Sequence, residues 1–211
     1  MAIYYPNLEQ GSPEWHALRN RPTASRFSDL VTSQGKPSAS AGPYIAEILS
    51  AHFGQYKQSY YSDEMQRGHD EEGAGRLHYE ILTGNTVTQT GFVIERDEPF
   101  APGCSPDGLV GDDGGIEMKH PDADNHMLCF LNGTPKKHIP QIQGFLFVTG
   151  RKWCDFVSRC TGTYNEAGEF VPLPEKFQIF IQRQHRDAKY IAALDAATSN
   201  AQAILRKLTG V

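Results

Sequence analysis

Between Ser105 and Lys119 the chain reads SPDGLVGDDGGIEMK, placing Asp107 ten residues before Glu117 and Lys119 two after it. The flanks have the composition of short strands, and GDDGG between them is a turn. Side chains alternate along a strand, so Glu117 and Lys119 share a face. A hairpin closing at GDDGG brings Asp107 back beside Glu117. Two carboxylates and one ammonium then converge. Hard divalent cations take oxygen ligands, and Mg²⁺ is typically held by one or two carboxylates plus substrate phosphates. A lysine beside such an ion can orient a water or accept its proton. These are the parts of a metal-dependent phosphodiesterase.

Each half of the segment has an ordinary reading. Pro-Asp-Gly is a common turn, and acid-x-Lys occurs on solvated strand edges. The combination is more telling. Ile116 and Met118 fill the opposite face, which leaves a carboxylate and an ammonium together in a chain that otherwise buries its strands. Charges placed in that way point to function.

The elements that must position these groups can be read along the chain. Trp15 and Leu18 suit a short helix ended by Pro22, and Thr23 or Ser25 can cap a second one carrying Phe27, Leu30 and Val31. Residues 33–43, SQGKPSASAGP, read as a mobile loop. Pro43 then opens a helix with a stripe of Ile45, Ile48, Leu49 and Phe53, capped by Gly54. A helix from Met65 to Thr83, stopped by Gly84, holds Gly68, Gly73 and Gly75 around Glu72. Each glycine there costs about 1 kcal/mol relative to alanine, so they suggest close packing or a ligand against the backbone. Strands are expected over 86–94, 100–110, 116–119, 153–159 and 177–183. Further helices are expected over 125–131, 138–148 and 186–208, the last burying Ala192, Ala193, Leu194, Ile204 and Leu205. The order gives an α/β class, a mixed sheet with helices on both faces.

The 211 residues, 39% hydrophobic and 21% charged, suit one domain over 1–211. No apolar run approaches the roughly 18 residues that span a bilayer, and the first residues lack the pattern of an export signal. Cys104, Cys129, Cys154 and Cys160 have no C-x-x-C spacing, so free thiols in a cytoplasm are expected. His69, His78, His120, His126 and His138 show no metal-ligand spacing. A net charge of −5 speaks against a broad nucleic-acid surface. It leaves room for a local path along Arg19, Arg21, Arg26, Lys136, Lys137, Arg151 and Lys152.

Pro106-Asp107 followed by Glu117-Met118-Lys119 matches the nuclease signature PD-(D/E)-x-K. Together with WHALRNRPTAS, RGHDEEGAGRLHYEILTG, CSPDGL, IEMKHP and HIPQIQGFLFVTGRKW, in that order, the chain resembles the lambda-exonuclease-like, YqaJ-type viral recombinases over about Trp15 to Trp153. The resemblance implies a restriction-endonuclease-like core. It also implies a processive alkaline exonuclease that degrades the 5′-ended strand of linear double-stranded DNA to mononucleotides. The remaining 3′ strand would pass to a single-strand annealing partner. A homotrimeric ring is implied, with two Mg²⁺ ions for which Mn²⁺ substitutes.

Carried over residue by residue, Asp107, Glu117 and the Met118 carbonyl would be metal ligands, and Lys119 would hold or activate the attacking water. Glu72 would help position that water and the second metal, with Gln141 nearby. Arg19, Ser25 and Ser105 would hold the 5′-phosphate, and Met65 would wedge apart the terminal base pair. NRPTAS is one residue shorter after Arg19 than the family pattern. Two other readings stay open: an endonuclease or RecB-like nuclease using the same site, and a DNA-end-binding module without catalysis.

Overall fold

The structure, a computed structural model, describes residues 1–55 and 63–211; over residues 63–70 the backbone alone is described. The chain opens with β1 (Ile3–Tyr5) and α1 (Pro13–Leu18), followed by a 3₁₀ segment at Ala24–Asp29. Next come α2 (Ala41–His52), α3 (Asp63–Thr83), β2 (Val87–Thr88), β3 (Phe92–Ile94), β4 (Gly103–Cys104), β5 (Gly108–Val110) and β6 (Gly114–Lys119). The second half holds α4 (Ala123–Asn132), α5 (Ile139–Thr149), β7 (Trp153–Arg159), β8 (Gly162–Tyr164), β9 (Phe170–Pro172), β10 (Ile179–His185) and α6 (Ala188–Thr209).

The main sheet has the order β10-β7-β6-β5-β2. Among the described strands of this sheet only β6 and β7 run parallel, so the sheet is mixed, as the strand and helix order implied. One face meets α3, where Tyr79 packs with Ile116, Met118 and Val157. The other meets α5, whose Ile142, Phe145 and Leu146 share a core with Phe156, Cys154 and the 3₁₀ residue Phe27. Among the described residues no helix is long and apolar enough to cross a membrane. All four cysteines are free and buried.

Several expectations change. The helix after Thr23 is 3₁₀, and Thr23 does not cap it: its hydroxyl lies 3.4 Å from both the Tyr44 and Ser25 hydroxyls. The 33–43 loop is stitched rather than loose, with Thr32 N donating to Lys36 O at 2.8 Å and Ser38 N to Leu30 O at 3.0 Å. The run 86–94 is two strands. It breaks at Gly91, where a Cβ would meet Leu8 O at 1.9 Å, so β2 joins the main sheet and β3 pairs with β1 and β4. The β8–β9 hairpin was not expected, and the last strand begins at Ile179. Phe53 and Ala192 are exposed; the buried stripes run through Tyr44 and Ile48 on α2 and through Ile191, Leu194, Thr198, Ala201 and Leu205 on α6.

Candidate active site

The β5–β6 hairpin aligns Gly108 with Ile116 and Val110 with Gly114, which sets Asp107 opposite Glu117 just beyond β5. Three glycines permit this. A Cβ on Gly108 would meet Val87 Cγ1 at 2.2 Å, one on Gly114 would meet the Trp153 ring at 2.0 Å, and one on Gly115 would meet Phe145 at 2.3 Å. The hairpin is therefore clamped by its neighbours. Asp107 Oδ2 accepts a hydrogen bond from Met118 N at 2.7 Å. A residue in a strand points its N–H and C=O to the same edge, so the Met118 carbonyl faces the Asp107 side as well.

Along β6 the two faces differ as expected. Ile116 and Met118 are buried against Tyr79, and Glu117 and Lys119 occupy the other face. Glu117 is 3% exposed and forms an ion pair with Lys119 Nζ. Burial, then the nearby Asp107 charge, pushes the Glu117 carboxyl up to about 7 against the pull of Lys119. Burial alone would lower the Lys119 pKa; Glu117, Asp107 and Glu72 outweigh it and raise it, so Lys119 is an ammonium.

Glu72 comes from α3. It accepts from Arg76 Nη1 at 3.1 Å, one helical turn away, and its charge reaches both Glu117 and Lys119. Of the three nearby glycines, Gly75 has a packing reason. A Cβ there would lie 2.3 Å from Met118 Sδ and 3.0 Å from His120 Cε1, so the missing side chain lets α3 lie directly on β6. Gly73 has open space; the surroundings of Gly68 and the Met65 side chain lie outside what is described.

A recess of about 30 Å³ gathers Arg19, Ser25, Ser105, Glu117 and Gln141 around an apolar floor of Cys104 and Phe145. Arg19 Nη2 donates to Ser25 Oγ at 3.5 Å, and its guanidinium lies 4.3 Å from the centroid of the Trp15 ring. Trp15 Nε1 donates to Ser105 Oγ at 2.9 Å. Sequence reasoning gave Trp15 only an anchoring role, yet it lies under Arg19 and reaches Ser105, 90 positions further along the chain. Gln143, two residues beyond Gln141, is spent elsewhere: it donates to His185 O at 2.8 Å and accepts from Asp187 N at 2.9 Å.

Asp107, Glu117 and the Met118 carbonyl make a hard oxygen donor set. Glu117 is driven toward protonation by its own burial and by the neighbouring Asp107 charge, a cost that a divalent cation removes. The residues present thus fit such an ion. Among the described residues no group of three or more His, Cys, Asp or Glu could hold one by themselves, so main-chain and substrate oxygens must complete the shell.

The mixed α/β fold is shared with solved exonucleases. The chain aligns with the crystal structure of an alkaline exonuclease, LHK-Exo, from Laribacter hongkongensis. Their TM-score is 0.76 at 36% identity, over 93% of each chain. It aligns equally with LHK-Exo in complex with dAMP, at 37% identity. A phage related exonuclease from Haemophilus somnus 129PT shares the fold, with a TM-score of 0.70 at 15% identity over 90% of this chain and 95% of that one. No curated protein sequence matches the chain. A family model, the YqaJ-like viral recombinase domain, matches residues 14–152, and the chain belongs to that family.

Proposed function

We propose that the protein is a phage-type exonuclease that digests the 5′-ended strand of linear double-stranded DNA to mononucleotides, leaving 3′ overhangs for a single-strand annealing protein. One observation carries this reading. Glu117, on the β5–β6 hairpin, and Arg19, a guanidinium suited to a phosphate, line the same small recess. A 5′-phosphate held there fixes which phosphodiester meets Glu117, which makes the reaction end-dependent. The 36% identity to a protein solved as an alkaline exonuclease, and solved also with the mononucleotide dAMP, supports it.

In this mechanism Asp107, Glu117 and the Met118 carbonyl would hold Mg²⁺, for which Mn²⁺ would substitute, and Glu72 would help to place a second ion. When bound, the metal lowers the pKa of water and neutralises charge on the phosphoryl oxygens. Arg19 grips the terminal phosphate through charge-assisted hydrogen bonds, and Ser25 and Ser105 add hydroxyl donors. Glu72 and Gln141 orient the attacking water. Lys119, paired with Glu117, would either take the proton of the attacking water or stabilise by its charge the negative charge developing at the phosphoryl group. Met65 serves as the strand-splaying wedge. A homotrimeric ring would supply processivity by enclosing the DNA, so a net charge of −5 is no obstacle.

Incubating circular and linear duplexes with Mg²⁺ tests the reading. Linear DNA should be consumed and covalently closed circles left intact. Cutting of circles would replace it with an endonuclease, and inertness toward both would leave a non-catalytic end-binding module.

A further inference from the structure

A second, larger cavity of about 290 Å³ lies on the other side of β6 from the recess. The recess is bounded by Cys104, Ser105 and Pro106, on the β4–β5 side of the hairpin. The larger cavity is bounded by β7, α4 and the loop before α5. The register ties it to the cutting residues: Phe156 is paired with Glu117, and Ser158 with Lys119. Phe156, Ser158 and Lys119 all line it. Lys119 is thus shared between the cutting centre and this cavity.

Its lining has a definite chemistry. None of the described residues lining it is acidic, in a chain that carries 25 Asp and Glu against 20 Lys and Arg. Lys136 and Lys137 stand exposed at its rim, beside Lys119. Leu128 supplies an apolar wall although it is 47% exposed. His138 lies flat on Phe156, with ring centroids 5.3 Å apart and planes at 24°. Burial, together with Lys119 and Lys137, lowers the His138 pKa to about 4, so this ring is a neutral stacking surface. Flat apolar walls with ammonium groups at the mouth suit a nucleobase with its sugar and a following phosphate.

Resting on the exonuclease reading, we propose that this cavity receives the nucleotide immediately 3′ of the scissile bond. Its base lies against Leu128 and the His138–Phe156 pair. Its own 3′-phosphate meets Lys136 and Lys137. The strand then runs across β6, with the terminal 5′-phosphate in the recess, the scissile phosphate at Glu117 and Lys119, and the next nucleotide in the cavity. Neither Lys136 nor Lys137 takes part in the hydrolytic step. They hold the substrate that remains after each cut, and so set the position of the next phosphate.

Calorimetric binding in Ca²⁺ of dAMP and of single-stranded pdApdApdA tests this, since dAMP reaches the recess but not the cavity. The wild-type protein should bind the trinucleotide more tightly than dAMP. In K136A/K137A the trinucleotide should weaken about tenfold, the loss of one charge-assisted contact or more, with dAMP binding unchanged. L128W, which fills the cavity and keeps both lysines, should do the same. A trinucleotide affinity equal to wild type in both variants would overturn the assignment. So would an equal loss for dAMP, which would make the cavity a store for the released product. Digestion of linear duplex by the wild-type protein is measured alongside. Its absence would sink the exonuclease reading and this inference with it. Its presence, with unchanged trinucleotide binding in the variants, would sink this inference alone.

Discussion

Adjacent strands of the main sheet each bury one carboxylate, and the two are equally hidden: Glu117 on β6 and Asp155 on β7 are both 3% exposed. They differ in partners. Asp155 accepts from Tyr79 Oη at 2.8 Å and takes Arg183 through Nε at 2.8 Å and Nη2 at 2.9 Å. Every charge-bearing oxygen there has a donor, and Arg183 is further held over the Trp153 ring at 3.6 Å. Glu117 has Lys119 but also lies near the carboxylates of Asp107 and Glu72, and burial first, then the Asp107 charge, drives its pKa up to about 7. Register separates them too, since Asp155 is paired with Ile116 and lies on the α3 face, opposite Glu117. A buried charge whose partners saturate it is structural. One left with an acidic neighbour is poised to take a cation.

The sharpest way to break this contrast is Lys119→Ala. Single-turnover hydrolysis should fall about a thousandfold or more, the scale of losing one preorganised charge at the reacting phosphate. Binding of linear duplex in Ca²⁺ should survive. Near-normal turnover in Mg²⁺ would remove Lys119 from the chemistry. Asp155→Ala should act on stability instead. Stranding the Arg183 and Tyr79 donors should cost about 2–4 kcal/mol in denaturant unfolding. Glu117→Gln should be no less stable than wild type at neutral pH, since the amide carries no buried charge, while abolishing turnover. Equal destabilisation by the two substitutions would erase the distinction.

The pH dependence sharpens the same point. Glu117 binds its proton more tightly folded than unfolded, with a pKa raised from 4.5 to about 7. The folded state therefore holds more protons between those values, and stability contributed by this group falls as pH rises through that window. The loss is at most about 3 kcal/mol, and E117Q should flatten the slope. Mg²⁺ should raise the melting temperature of the wild-type protein above pH 7, where Glu117 is ionised, and leave E117Q unaffected. A smaller effect is expected at the recess. Arg19→Ala should lower activity on 5′-phosphorylated ends by about tenfold or somewhat more, in line with one charge-assisted bond, and hardly alter that on hydroxyl ends. An equal fall on both would detach Arg19 from the phosphate.

The hairpin was legible in the sequence because its determinants are local: a turn at GDDGG, an alternation of two, and a spacing that returns Asp107 to Glu117. The mixed α/β order was legible for the same reason. Asp155 was not, since nothing in WCDFVSR says that an arginine 28 residues later and a tyrosine 76 residues earlier will surround it. Gln141 and Gln143 look alike in the sequence. Only the packing of α5 turns one toward the recess and the other toward His185 and Asp187. The break of 86–94 into two strands was hidden because its cause, the backbone of Leu8, is more than eighty residues away in the chain. Arg19 shows the reverse case. Its motif is a residue short, yet the fold sets it over Trp15 and beside Ser25.

The most direct measurement follows linear duplexes labelled at either the 5′ or the 3′ end, with and without a 5′-phosphate, in Mg²⁺. Labelled mononucleotide should appear first from 5′-labelled, phosphorylated ends, with Lys119→Ala releasing none. Earlier release from 3′ labels, or release indifferent to the 5′-phosphate, would contradict a recess in which Arg19 selects the bond that Glu117 and Lys119 meet.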